Sequence, residues 1–263
     1  MKAEYRGVDG VARKIIKEYR GVSGVAREVT KAYRGVNGVA RQFFQRGTPA
    51  SQLAVGSSVY LNVSGVQTEF LIVHQGLPAS FYDSSCNGTW LMRKYVDVFM
   101  PISDSGSKFY AVASIHTYLN DTFFGSLDAG VQSIVKQVKI PTYYAYTPLT
   151  AKIFLLSGVE VGIPITLSSS VPEDGAKLSF FNSNAYEDDK RIAKDSTPFH
   201  NTREWWTRSE YDGNSGNYWY IADTGKARHA YSYGSGDTRK KGIRPAMILP
   251  STALFDDQNV IIT

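Results

Sequence analysis

The stretch whose reading decides the fold is Trp205–Leu249, WWTRSEYDGNSGNYWYIADTGKARHAYSYGSGDTRKKGIRPAMIL. It opens on WWTRS and closes on GIRPAMIL, two short apolar segments of the length of buried strands. Between them stand Tyr211, Tyr218, Trp219, Tyr220, His229, Tyr231 and Tyr233, mixed with Gly, Ser, Asn and Asp. Loops of that composition set rigid ring surfaces beside small, adaptable hydrogen-bonding groups, as antibody loops do. The other reading is a polar, glycine-rich hairpin region whose tyrosines cover an edge of the core.

On the binding reading the candidate face is Tyr211, Asn214, Asn217, Tyr218, Tyr220, Tyr231, Tyr233 and Asp237. Rings would stack on sugar or protein, and amides and carboxylates would fix orientation. Trp205, Trp206, Arg208 and Arg244 read differently. An arginine beside Pro245 in a closing strand, near a tryptophan pair, staples a core by hydrogen bonds and stacking.

Working back along the chain, VGSSVYLNV and VQTEFLIVHQG alternate as two antiparallel strands around Ser64-Gly65. SIHTYLNDTFFGSL (114–127) carries Ile115, Leu119 and Phe123 at helical spacing. A second helix is expected from Leu127, with Val131, Ile134, Val135 and Val138 on one face and Pro141 as its stop. KIFLLSGVEVG (152–162) reads as a buried strand and a turn.

These marks, with WWTRS and GIRPAMIL in the same order, resemble an uncharacterised domain family of Gram-positive bacteria and their phages. That family shows a Ser-x-Ile-x-x-Tyr-Leu-Asn helix, Phe-Leu-Leu-Ser, Trp-Trp-Leu-Arg-Ser and a closing Gly-Val-Arg-Pro-Ala. This chain has Thr207 and Ile243 where the pattern has Leu and Val. The family in turn is similar to the C-type-lectin-like fold of the formylglycine-generating enzymes and phage tropism determinants. The resemblance implies an α+β domain over about 53–263, with two helices on a twisted, mostly antiparallel sheet and a loop-borne binding face. It also raises the alternative of loops that vary by programme, as in tropism determinants. The enzyme activity does not carry over, because it needs paired reactive cysteines and only Cys86 is present.

The front of the chain repeats. EYRGVDGVARKIIK, EYRGVSGVAREVTK and AYRGVNGVARQFFQ recur with a period of 14, each centred on Asp9-Gly10, Ser23-Gly24 or Asn37-Gly38. Such dipeptides between valines are strong hairpin signals, because both turn residues need positive φ. A short helix capped by Asp9, Ser23 or Asn37 is the competing reading. A unit this small cannot bury itself, so residues 1–46 are expected to bring copies together, around a threefold axis, or to act as a docking segment. These units resemble tandem repeats in virion and tail proteins of phages and prophages of Gram-positive bacteria, and the resemblance implies that the docking partners are other virion proteins. A linker is expected at 47–52.

Charge follows the same division. Of the net +5, residues 1–46 carry eleven Lys/Arg against four acids, and the remainder carries 18 against 20. The basic positions recur with the repeats, which suits a solvated face better than nucleic-acid binding. No apolar run reaches membrane-spanning length, and MKAEYRGVDG lacks a signal-peptide core, so the chain is expected to be made and folded in a host cytoplasm. The resemblance of the repeats implies a virion as its site of action.

Other chemistry finds little footing. Gly213-Asn214-Ser215-Gly216 has His200 and His229 elsewhere in the chain as conceivable bases, but lacks the strand–turn–helix context of a nucleophilic serine and reads as a turn. Glu187-Asp188-Asp189 and Asp256-Asp257 are the only calcium candidates, without a ligand-spaced loop around them. The four histidines show no zinc spacing. The expectation is therefore a cofactor-free, non-enzymatic binding protein for a host-surface glycan or protein. A purely structural decoration or adaptor protein is the alternative.

Overall fold

The computed structural model describes residues 47–104, 109–142, 148–182, 187–211, 216–230 and 240–263, together with the backbone of Tyr231 and of the strands between residues 5 and 45. In the repeats, Tyr5–Val8 pairs with Val11–Lys14, Tyr19–Val22 with Val25–Glu28, and Lys31–Val36 with Val39–Gln45. Each is an antiparallel hairpin that leaves two residues between its last pair of valines. Those turn dipeptides, 9–10, 23–24 and 37–38, lie outside the described residues. The hairpin reading of the repeats therefore fits the strands on both sides, and the capped-helix reading does not.

The rest of the chain is built on two five-stranded sheets. The first contains β1 (Ser58–Val63), β2 (Val66–Gly76), β3 (Gly88–Arg93), β5 (Ile153–Phe154) and β10 (Ala246–Leu249), in the order β5-β10-β3-β2-β1 and antiparallel throughout. The second contains β4 (Phe99–Met100), β6 (Trp205–Tyr211), β7 (Asn217–Ile221), β8 (Ala227–Tyr231) and β9 (Lys241–Gly242), in the order β4-β9-β6-β7-β8. The β6–β9 contact is parallel and the others antiparallel. Turn chemistry fixes the first hairpin: Ser64 and Gly65 both have positive φ, 53° and 76°, as a two-residue turn matching strand twist requires.

Both faces of the central strands are covered. Side chains alternate, so Leu91, Trp206, Tyr218, Tyr220, Met247 and Leu249 enter one core. Trp90, Met92, Trp205, Trp219, Ile221 and Ile248 enter the other. Ile115, Leu119, Phe123 and Val131 roof the first core, and Val161, Ile163, Leu178 and Phe181 close the second. Strands buried on both faces lose the polar–apolar alternation, which is why AMIL reads as an unbroken apolar run; WWTRS is buried throughout as well, with Thr207, Arg208 and Ser209 inside.

The expected α+β architecture, two helices on a C-type-lectin-like sheet, is overturned. The described chain is mostly β, with one helical stretch of 13 residues: Ser114–Thr117, a π-helical turn over Tyr118–Phe123, and Phe124–Ser126. The second expected helix holds only for Ala129–Ile134. Past it, Val138–Ile140 is a strand against Leu149–Ala151, with Val138 and Ile140 buried and Lys139 exposed. β-branched residues at 135, 138 and 140 favour the pleated partner, and the i, i+3, i+4 spacing of valines could not outweigh it.

Residues 47–52, expected as a linker, are tied into this body. Thr48–Pro49 pairs with Leu254–Phe255, the Ala50 amide donates to the Ala253 carbonyl at 2.7 Å, and Ala50 is fully buried. Among the described residues, no helix is long and apolar enough to cross a membrane.

Candidate functional site

Strand β6 is bulged. Trp206 faces Tyr220 across the ladder, but Glu210, four residues on, faces Tyr218, only two residues back along β7. The surplus in β6 leaves Thr207, Arg208 and Ser209 free of β7, and bulges of this kind re-aim side chains. Thr207 Oγ1 donates to the Trp219 carbonyl at 2.8 Å, and the Arg208 amide turns to the Leu156 carbonyl at 3.0 Å.

Arg208 then reaches into a buried polar network. Its Nη1 and Nη2 donate to Glu160 Oε2 and Oε1 at 2.5 and 2.7 Å, and Nη2 also donates to the Asp174 carbonyl at 2.9 Å. The Tyr82 hydroxyl donates to Glu160 Oε1 at 2.8 Å, and Ser209 Oγ to Asp174 Oδ2 at 2.7 Å. Burial works against the Arg208 charge, but the paired Glu160 carboxylate more than offsets it and holds the guanidinium ionised. Burial pushes the Asp174 carboxyl up to about 6, against the pull of Arg208. Gly175 is glycine because nothing larger fits: a Cβ there would lie 2.6 Å from Ser157 Oγ and 3.0 Å from the Tyr82 hydroxyl. With Glu160 bonded on both oxygens and Arg208 on both terminal nitrogens, this cluster staples 155–160 and 174–176 to β6. It offers no exposed nucleophile or base.

The surface feature is formed by β6, β7 and β8 together with Leu167 and Ser168. A cleft of about 410 Å³ is lined by Leu167, Ser168, Tyr211, Trp219, Tyr220, Ala227, Arg228 and His229. Cross-strand pairing brings its rings together, with Trp219 opposite His229 and Asn217 between Tyr211 and Tyr231. Tyr211 stacks on His229 at 3.8 Å between centroids and 18° between planes. Trp219 meets His229 edge-on at 5.7 Å and Tyr211 at 5.4 Å. The indole N–H of Trp219 donates to the Ser170 carbonyl at 3.0 Å and holds the cleft to the 165–171 segment. Burial lowers the His229 pKa, so the imidazole is neutral around pH 7. Arg228 and His229 are exposed, and Tyr211 half-buried. Rings, one guanidinium and one neutral imidazole are suited to stacking on a flat or ringed ligand while bonding its oxygens. A second hollow of about 480 Å³ is lined mainly by apolar side chains, Phe81, Val159, Ile163 and Ile165 among them, with Thr166, Glu173 and Lys177 also on its wall.

The eight-residue face expected from sequence does not exist as one surface. Tyr218 is fully buried, its hydroxyl donating to Glu210 Oε1 at 3.3 Å, and Tyr220 is 8% exposed with its ring against Trp206. Successive residues of a strand point to opposite faces, so Tyr218 and Tyr220 enter the first core, while Trp219, itself only 4% exposed, enters the second, where Tyr211 packs, and lines the cleft from within. Asn217 is half-buried at the head of β7. Asn214, Tyr233 and Asp237 lie outside the described residues, as do the side chain of Tyr231 and the stretch 213–215 weighed as a serine loop. Trp219, Arg228 and His229 were missed as site residues, although period-two alternation through NYWYI, once Tyr218 was placed inside, would have found Trp219.

Trp205, Trp206, Arg208 and Arg244 are all buried. The indole of Trp205 donates to the Arg191 carbonyl at 2.9 Å, and that of Trp206 to the Met100 carbonyl at 3.0 Å. Arg244 lies over the Trp205 ring, 4.9 Å from its centroid. Burial pushes the Cys86 thiol up to about 11, which leaves it protonated and unreactive near neutrality. Among the described residues, no three His, Cys, Asp or Glu side chains are grouped to hold a metal ion. Asp188, within the acidic run weighed for calcium, is buried and accepts from the Asn182 and Lys190 amides.

No curated protein and no solved structure matches this chain. A family model does: residues 87–251, from the start of β3 to the end of β10 and including the bulge, the staple and the cleft, match the one described as Domain of unknown function (DUF6273), and the chain belongs to that family.

Proposed function

We propose that this chain is a virion protein of a phage or prophage, carried on a tail or fibre, that binds a host-surface ligand through the Tyr211–Trp219–His229 cleft. The observation that carries the reading is the cleft itself: three rings held by cross-strand pairing, with Arg228 at its margin. Aromatic surface beside a few polar groups is what a glycan or a protein loop needs from a partner. The repeats supply the other half. Three hairpins of 14-residue period, too small to be stable singly, suit a segment that gathers copies or docks on other virion proteins. A homotrimer would set several clefts side by side and multiply a weak single contact.

One observation favours the structural decoration reading: Tyr211 and His229 stack on each other and so use part of the ring surface a ligand would need. A glycan array probed with the full chain separates the two. The binding reading expects a discrete subset of glycans to be retained and free ligand to compete for them. Retention of none, together with no binding to intact Gram-positive cells, supports decoration instead.

A further inference from the structure

Arg244 was read from sequence as a core staple, and it is one, but it is incompletely used. Its side chain is 2% exposed, Nε donates to the Arg93 carbonyl at 3.0 Å, and Nη2 donates to the Lys94 carbonyl at 3.1 Å. Nη1 is buried and has no acceptor among the described residues, and no carboxylate there pairs with the guanidinium. Burial alone pulls its pKa down to about 9, the direction expected of a cation without a counter-charge. A buried N–H of an ionised group rarely goes unmatched.

Arg244 lines a pocket of about 320 Å³ with Leu71, Lys94, Tyr95, Phe180, Asp189, Lys190, Ile192, Lys194 and His200. The pocket shares no lining residue with the aromatic cleft. Lys94, Lys190, Lys194 and Arg244 bring four positive charges, and Asp189 brings one negative. Lys94 is partly spoken for, bonded to Glu69 at 2.8 Å. Lys190 sits 5.5 Å from the Phe180 ring, and Lys194 is exposed at the mouth. His200 stacks on Tyr95 at 5.6 Å and 18°, with its Nδ1 3.2 Å from the Asp195 carbonyl oxygen, so its ring is held in place. The three lysines come from two segments, 94–95 and 190–194, which the parallel bridge between Tyr95 and Lys194 draws together.

We infer that this pocket binds a tetrahedral oxyanion, a phosphate or sulfate group of a ligand, with Arg244 as its buried anchor and Lys190 and Lys194 at its mouth. A carboxylate is the poorer fit. It is best met by two parallel N–H groups of a guanidinium, and here Nε and Nη2 are already spent on backbone carbonyls. A phosphate or sulfate has three or four oxygens, which can take one N–H from Arg244 and others from ammonium groups arriving from different directions.

The test uses the full chain and sodium phosphate, sodium sulfate and sodium acetate at equal ionic strength, read by calorimetric titration and by melting temperature. Phosphate or sulfate should bind and raise the melting temperature, and acetate should not; whichever of the two wins names the group. The Lys190→Glu, Lys194→Glu double variant, altered only at exposed positions, should bind the winning anion roughly tenfold more weakly or worse, with an unchanged circular dichroism spectrum. Arg244→Lys should weaken it too, and the lysine double variant decides the matter should that protein fail to fold. Equal responses to all three salts, or wild-type affinity in the double variant, would overturn the inference. Neither result bears on the aromatic cleft.

Discussion

Glu210 is the residue with the most to say about this domain's behaviour in solution. Its Oε1 accepts from the Tyr110 amide at 3.2 Å and from the Tyr218 hydroxyl at 3.3 Å, while its buried Oε2 has no partner among the described residues. Burial raises its pKa from the ordinary 4.5 to about 7, against the two donors, and Asp174 adds a little in the same direction. The sign follows from proton linkage. Between about pH 4.5 and 7 the unfolded chain has released a proton that the folded chain keeps, so stability falls as pH rises through that window and is level above it. Glu210→Gln holds the shape and cannot ionise. Relative to wild type it should gain stability from pH 4.5 to 7, by at most about 3 kcal/mol, and then run parallel. Urea unfolding at pH 4.5, 6 and 8 measures this. A constant difference across that range would mean that Glu210 titrates normally. The same contact explains why Tyr218 was misplaced from sequence: a tyrosine among Gly, Ser and Asn reads as exposed, and nothing local reveals that a carboxyl from the neighbouring strand waits inside for its hydroxyl.

At the scale of elements, what was legible was what local chemistry fixes. Ser64-Gly65 set the first hairpin, and the YRGV and VAR segments set the three repeat hairpins. WWTRS was found as a strand, and GIRPAMIL only in its second half, Ala246–Leu249; Gly242 ends a short strand of the other sheet, and residues 243–245 cross between the two. Less legible was whatever depends on a distant partner. Val138–Ile140 continued a helical spacing and became a strand because Leu149–Ala151 pairs with it. Thr48–Pro49 looked like a linker because its partner, Leu254–Phe255, lies about two hundred residues away. The bulge in β6 leaves no mark in WWTRSEY at all, yet it turns Arg208 onto Glu160 and leaves Tyr211 on the cleft side. The repeat hairpins carry a prediction of their own. Each forms a two-stranded sheet by itself, and no ladder bond joins any of them to the other described strands. Removing residues 1–46 should therefore shift the melting temperature of the remainder by less than about 3 °C, which at this size corresponds to about 1 kcal/mol. The mass in solution, measured by light scattering, should at the same time drop from an oligomer to a single chain. A full-length chain that is already monomeric would remove the self-association role.

For the whole molecule, a division of labour emerges. Two sheets with central strands buried on both faces, stapled by Arg208–Glu160 and capped by one helical stretch, form the body of the described chain. Two of its hollows draw on different chemistry: rings around Tyr211 and His229, and cations around Arg244. Rings fixed by strand pairing lose little freedom when they take up a ligand, which suits a weak contact repeated across several copies. The cleft is the central claim, and binding of the full chain to intact Gram-positive cells tests it most directly, with wild type set beside Tyr211→Ala and His229→Ala. His229 is exposed and Tyr211 half-buried against the second core, so His229→Ala should leave the melting temperature nearly unchanged and Tyr211→Ala should lower it modestly, with both proteins folded. Each should lower cell-bound protein by about tenfold or more, as loss of an aromatic anchor does. Wild-type levels of binding by both folded variants would contradict the account.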